Sequence, residues 1–343
     1  MAKLRIRLVL SIIIASMHGH MGVASIDIGV CYGMNGDNLP PPSAVVALYK
    51  KYGINSMRLF DPNPQALEAL RGSLIEVSLG VRNADIPTIA STQEAADSWF
   101  QSNVAPYLND VEFAYISVGN EAIPGQYASV IPPAMQNLQN ALNARNLAGI
   151  KVTTVVSTAT LASSYPPSGS AFLPEASSTL SGVLQFLSAQ GSPLMINVYP
   201  YFAYASDPTN VRLDYAQFTA TGAVVVDSNL SYQNLFDAVV DSFYWAMEKL
   251  GVSDVGVAVS ESGWPSAGNG NFTTPELAGT YNRNFIKRIG SNIGTPKRPG
   301  AHMDGFVFAI FNENLKPAGT EQNFGLFDPS MNPVYPSLPP AKG

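Results

Sequence analysis

Two runs of β-forming residues end on a glutamate. "AYISVGNE" finishes on Asn120-Glu121 and "VAVSE" finishes on Glu261. Taken singly, either is a solvated charge at a strand end. As a converging pair they are the groups that glycoside hydrolysis needs, because one carboxyl must protonate the departing oxygen while the other attacks the anomeric carbon or activates water. A separation near 5 Å gives retention, and roughly 6.5–9.5 Å gives inversion. Histidine and cysteine chemistry is poorly served. His18 and His20 fall in an N-terminal leader, which leaves His302, and Cys31 is the single cysteine. No H-E-x-x-H, C-x-x-C or G-x-S-x-G pattern occurs, so a metal site and a Ser-His-Asp triad both lack their parts. No metal or organic cofactor is expected.

Eight short β-rich runs can position such a pair: 26–33, 56–60, 75–81, 113–121, 152–158, 194–202, 256–264 and 305–313. Most are near-continuously apolar, as strands covered on both faces are. Helix signals lie between them. "SAVVALYKKYG" offers Ser43 as cap and Gly53 as stop, and "STQEAADSWF" a capping box from Ser91 to Glu94. "NLFDAVVDSFYWAMEKLG" has helical apolar spacing up to Gly251, and "TTPELAGTYNRNFIKRIG" puts Pro275 just inside a start at Thr274. Strands alternating eightfold with helices predict an α/β fold of the (β/α)8 TIM-barrel type, with function on the loops after the strand C-termini. The rival is an open doubly wound sheet, but no phosphate-cradling glycine fingerprint follows the first strand. Glu121 and Glu261 then end strands four and seven. Strict alternation would put Glu121 on the face of Gly119 and Ser117, and Glu261 on that of Val259 and Val257. Residues 160–192 read as extended loop plus a helix near 180–187, and 199–233 as a small insertion on the functional face.

Aromatics crowd the same strand ends. Pyranose rings present apolar C–H faces, so Tyr32, Tyr199 and Phe202 are expected to line a groove, with Trp264, Phe311 and Phe324 as further candidates. The leader itself, basic at Lys3, Arg5 and Arg7, apolar over 8–15 and small-residued before Ser25, has the layout of a secretory signal over 1–24. One domain is expected over 25–338, with a short tail at 339–343. The formal charge of the whole chain is −6, and losing the leader removes three bases and no acid. An acidic surface repels phosphate backbones and anionic membranes, so nucleic acid and lipid are poor partners and a neutral polymer fits better. A secreted monomer is expected. Asn229 and Asn271 open N-x-Ser/Thr sequons and are candidate N-glycosylation sites.

"IGVCYGMNGDNLPPPSAVVALYK", "ISVGNE", "SYPPS", "NVYPYFAY", "AVSESGWPSAG", "FNEN" and "NFGLF", in that order over about residues 26–335, resemble the plant endo-β-1,3-glucanases of glycoside hydrolase family 17. The resemblance implies a (β/α)8 barrel, a retaining mechanism, Glu121 as acid/base and Glu261 as nucleophile. It further implies that Asn120 binds the sugar 2-hydroxyl and that Glu313 and Lys316 form a charge network orienting Glu261. The substrate implied is a β-1,3-glucan such as laminarin, callose or fungal wall polymer. A β-1,3-1,4-glucanase on the same scaffold shares these motifs, and a silent glucan-binding protein or a wall storage protein are rivals from other classes. "GVRNAD" departs from the pattern in carrying Arg82 where relatives often have Pro.

Overall fold

The computed structural model describes residues 28–338. The expected leader and tail lie outside them. All eight β-rich runs form strands of one parallel sheet: β1 Ile28–Tyr32, β2 Ser56–Leu59, β3 Glu76–Val81, β4 Glu112–Asn120, β5 Lys151–Ser157, β6 Leu194–Asn197, β7 Val257–Ser262 and β8 Gly305–Val307. The sheet closes, with β1 paired to both β2 and β8, which excludes the open-sheet alternative. Closure removes both edges, so every strand spends its backbone donors and acceptors on two neighbours.

The helices that wrap this barrel are α1 Pro42–Tyr52, α2 Pro64–Leu70, α3 Gln93–Asn103, α4 Ile131–Asn143, α5 Pro174–Gln190, α6 Leu235–Lys249 and α7 Pro275–Gly290. Among the described residues no α-helix follows β8; the chain crosses the mouth instead and packs back on α7, where Asn282 donates to the buried Tyr335 hydroxyl. Two termini match their local signals. Thr274 accepts from the Leu277 N–H with Pro275 at the first helical position, and Gly53 ends α1 at φ 68°, where a Cβ would be strained. Two caps differ from expectation. Helix α1 starts at Pro42 behind Pro41, so Ser43 is inside it, and Ser91 ends a short helix (Ile86–Ser91) while Thr92, extended at φ −151°, caps α3. At α1 Pro41 is the extended residue before the helix and Pro42 takes the first helical position, where its missing N–H costs nothing, while at α3 the Thr92 hydroxyl accepts from the Ala95 N–H.

The apolar stripe of α6 buries Phe236, Val240 and Phe243 completely, and each such side chain contributes roughly 1.5–3 kcal/mol. A salt bridge between Asp237 of α6 and Arg288 of α7, both nearly buried, ties those helices together. The 199–233 stretch forms two short helices, Pro200–Ser206 and Leu213–Ala216, then a hairpin of Val225–Asp227 with Leu230–Tyr232. A second hairpin, Leu161–Ser163 with Ala171–Phe172, fills the loop after β5, and Ser168 in it donates to Asp227 of the first.

Candidate active site

A cleft of about 370 Å³ opens where the β-strands end, lined by Tyr32, Asn120, Glu121, Tyr199, Phe202, Glu261, Glu313, Lys316 and Phe324. Both glutamates, 140 residues apart in sequence, therefore face one space. The route by which they reach it is not simple alternation. On β4 the pairing runs from Ser117 opposite Thr153 to Asn120 opposite Val155, and on β7 from Val259 opposite Ile196 to Glu261 opposite Asn197. Each strand has one extra residue before its glutamate, and an inserted residue flips the pleat, so the expected shared faces with Gly119 and Val259 do not hold. Glu121 then turns into the left-handed region at φ 51°, which lets two consecutive residues, Asn120 and Glu121, both line the cleft.

That turn is clamped from outside the strand. The Asn83 side chain, on the loop after β3, accepts from the Asn120 N–H at 2.9 Å and donates to the Asn120 carbonyl at 3.0 Å. The amide imitates a ladder partner where β4 leaves the sheet. Gly119 sits beneath it at φ 83°, and a Cβ there would stand 2.8 Å from Ile86 Cδ1.

Glu261 is buried, at 6% exposure, and its two oxygens are separately held. Arg58 Nη1 donates to Oε1 at 2.5 Å and the Tyr199 hydroxyl to Oε2 at 2.7 Å. Arg58, on β2, is itself 1% exposed, extends Nη2 to Asn120 Oδ1 at 2.8 Å and lies 4.3 Å from the Phe60 ring centroid. A buried carboxylate without a cation is strongly disfavoured, and the guanidinium, with one nitrogen on Glu261 and the other on Asn120, supplies the charge and ties the two residues together. The Tyr199 hydroxyl has its pKa raised well above 10 by burial and by Glu261, so it donates at any working pH. Cys31 lies in the same interior, its Sγ 3.4 Å from the Ser260 carbonyl and its pKa pushed up to about 12 by burial, which keeps it a neutral thiol.

Glu121 is placed differently. Its carboxyl is exposed to the cleft, and one side-chain donor reaches it, Asn197 Nδ2 at 2.7 Å from Oε1. Displacement of water by the surrounding protein raises its pKa, Asn197 opposes that, and the charge of Glu261 raises it further. A carboxyl whose pKa is raised, beside one paired with a cation, suits the donor of a proton while its partner attacks.

The remaining expected residues divide. Glu313 accepts from the Asn35 N–H at 2.8 Å and pairs with Lys316 at 3.4 Å, and a Cβ on Gly33 would collide with its carboxylate. The direct partners of Glu261 are Arg58 and Tyr199, so the expected orienting of Glu261 falls to them, while Glu313 and Lys316 shape the adjoining wall. Tyr32, Tyr199, Phe202 and Phe324 line the cleft, Phe202 being 45% exposed. Trp264 and Phe311 do not. Trp264 is fully buried, donates from Nε1 to the Phe272 carbonyl and packs against Tyr201 and Tyr281, because after Gly263 the chain turns under the insertion. Phe311 is buried where its backbone bridges to Phe327. The wall position falls instead to Phe308, with Phe60 across from it. Arg58, Asn197 and Asn83 were missed in the sequence. A charge inside the apolar run "SMRLF" and an amide closing "LMIN" were the available signals. The sequon asparagines are both exposed, Asn229 in a hairpin turn and Asn271 in a short helical turn.

The family model for glycosyl hydrolases family 17 matches residues 28–337. The chain belongs to this family. It is 54% identical to a probable glucan endo-1,3-beta-glucosidase of Arabidopsis thaliana over 91% of each chain, and 48% identical to Lichenase-2 of Hordeum vulgare over 90% of this chain and 97% of that one. A solved structure of plant beta-glucan endohydrolases with distinct substrate specificities superposes with a TM-score of 0.86 at 48% identity, covering 90% of this chain and 99% of that one. Like other members of family 17, it is a glycoside hydrolase.

Proposed function

We propose that the protein hydrolyses internal β-1,3 bonds of glucans by double displacement, with Glu261 as nucleophile and Glu121 as acid/base. The observation that carries this reading is the unlike environment of two carboxyls in one cleft: one buried and held by Arg58 and Tyr199, the other exposed with a raised pKa. In the first step Glu261 attacks the anomeric carbon while Glu121 protonates the departing glucosyl oxygen, which leaves with its chain. Once Glu261 is esterified its charge is gone, the repulsion on Glu121 relaxes, and Glu121 takes a proton from the water that opens the ester. Asn120, held by Arg58, is placed to bond the sugar 2-hydroxyl beside the nucleophile. Tyr32, Phe202 and Phe308 offer apolar faces along the cleft for pyranose rings.

The β-1,3 preference is supported by the names of relatives such as the Arabidopsis thaliana protein, and the similarity to Lichenase-2 favours mixed-linkage glucan as a second substrate. The experiment is a product comparison. Laminarin should give a ladder of oligosaccharides from early times, and mixed-linkage glucan should release far less; the reverse pattern overturns the β-1,3 assignment, and monosaccharide alone overturns the endo mode. The basic and apolar leader supports action outside the cell, with Asn229 and Asn271 available for glycans. Glycosidase-sensitive mass on the secreted protein checks both.

A further inference from the structure

Asn197 closes β6, is 2% exposed, and stands opposite Glu261 in the β6–β7 register. Its Nδ2 donates to Oε1 of Glu121, while its own Oδ1 is buried with no hydrogen-bond partner. A bare interior carbonyl is costly, and an apolar side chain would fold without it. The amide is retained against that cost at the one point where β6 reaches Glu121.

In a protonated carboxyl the carbonyl oxygen is a far better acceptor than the hydroxyl oxygen, so an N–H engages the oxygen that carries no proton in preference. With Oε1 engaged by Asn197, the proton of the acid form sits on Oε2, which has no hydrogen-bond partner among the described residues, in a carboxyl that lines the cleft. We propose that Asn197 is a positioning residue that holds Glu121 by Oε1 and so reserves Oε2 for proton delivery to the leaving oxygen. In the first step the Oε2–H bond breaks, its proton joins the glycosidic oxygen, and the electron pair of the broken C–O bond stays with that oxygen. The carboxylate left behind is met by the donor already on Oε1. In the second step Oε2 takes a proton from water, whose oxygen bonds to the anomeric carbon as the ester bond to Glu261 breaks. This rests on Glu121 being the acid/base, and the test separates the two ideas.

The full chain carrying Asn197→Ala, Asn197→Asp or Glu121→Ala is assayed on laminarin and on a 2,4-dinitrophenyl β-laminaribioside, whose leaving group needs no acid. Misaiming the acid should cost Asn197→Ala about 10- to 100-fold in kcat/KM on laminarin, part of the 10²–10⁴ that general acid catalysis supplies, and little in the first step on the dinitrophenyl substrate. Loss of a donor to the carboxylate should also move the alkaline limb of the laminarin profile up by about one pH unit, and Asn197→Asp, which adds a like charge in the same shape, should move it further. Asn197→Asp carries the test if the alanine variant does not fold. Equal losses on both substrates, or a limb that stays or moves down, overturn the inference, since a downward shift means the amide accepts from a protonated Oε1. If Glu121→Ala itself shows no dependence on leaving group, the acid/base assignment falls and this inference with it. If Glu121→Ala shows that dependence and the Asn197 variants do not, the inference alone is lost.

Discussion

Strands β4 and β7 deliver the same residue type to the same rim of the barrel, and the two ends treat it in opposite ways. The end of β7 is closed: Glu261 is buried and each oxygen has a dedicated donor, one of them a guanidinium. The end of β4 is open: Glu121 follows a left-handed turn into solvent and receives one neutral amide. A guanidinium compensates a buried carboxylate for the water it has lost, while desolvation near another carboxylate raises the pKa of Glu121. Identical side chains thus meet unlike surroundings, and the proposed nucleophile and acid/base roles draw on that difference.

The contrast can be broken from either side. On the proposed roles Glu261→Gln removes the group that forms the ester, and laminarin turnover should fall by several orders of magnitude; near-normal rates would refute the assignment. Glu121→Ala should cost about 10²–10⁴-fold on laminarin, with azide restoring turnover on an activated aryl glycoside as a β-glycosyl azide product. The same carboxyl makes a stability prediction. Its folded pKa is raised, so its contribution is favourable at low pH and is lost as pH rises through the folded value. Glu121→Gln should therefore raise the melting temperature at pH 7 and lose that advantage below about pH 4, the usual range of an unfolded glutamate.

Arg58→Met acts on the closed end. It leaves Glu261 buried without its cation, for which the loss of stability should be about 3–5 kcal/mol by denaturant titration, accompanied by a large fall in kcat. A variant as stable as the parent would show that the pair is not coupled to the fold. Tyr199→Phe removes a single bond to the nucleophile, and kcat/KM should fall by roughly 10- to 100-fold, the equivalent of one charge-assisted hydrogen bond. Trp264→Phe gives the smallest effect on rate. It loses the bond to the Phe272 carbonyl and some packing, so stability should drop by about 1–3 kcal/mol while kcat/KM on laminarin stays within a few-fold. A large rise in KM would return Trp264 to the groove.

Legibility in the sequence followed the range of the interaction responsible. All eight strands were visible because a buried parallel strand must be apolar along its length, and Thr274 and Gly53 because a cap satisfies its own neighbours. Ser43 misled because Pro42 opens α1 without an N–H to satisfy, and Ser91 because Thr92, one residue on, supplies the capping oxygen. Trp264 and Phe311 misled because an aromatic at a strand end is equally good as groove wall and as core, and the direction of the next turn decides between them.

By itself, then, the sequence determined the barrel and placed a glutamate at the ends of β4 and β7, since periodicity and composition are properties of the chain alone. The tertiary structure decided which carboxyl is buried against a cation and which is exposed. That choice depends on Arg58 from β2, Tyr199 and Asn197 from the β6 end, and Asn83 from beyond β3, side chains that barrel closure brings within about 3 Å of their partners. Charge, desolvation and hydrogen bonding act over a few ångströms of space, and no spacing along the chain encodes them.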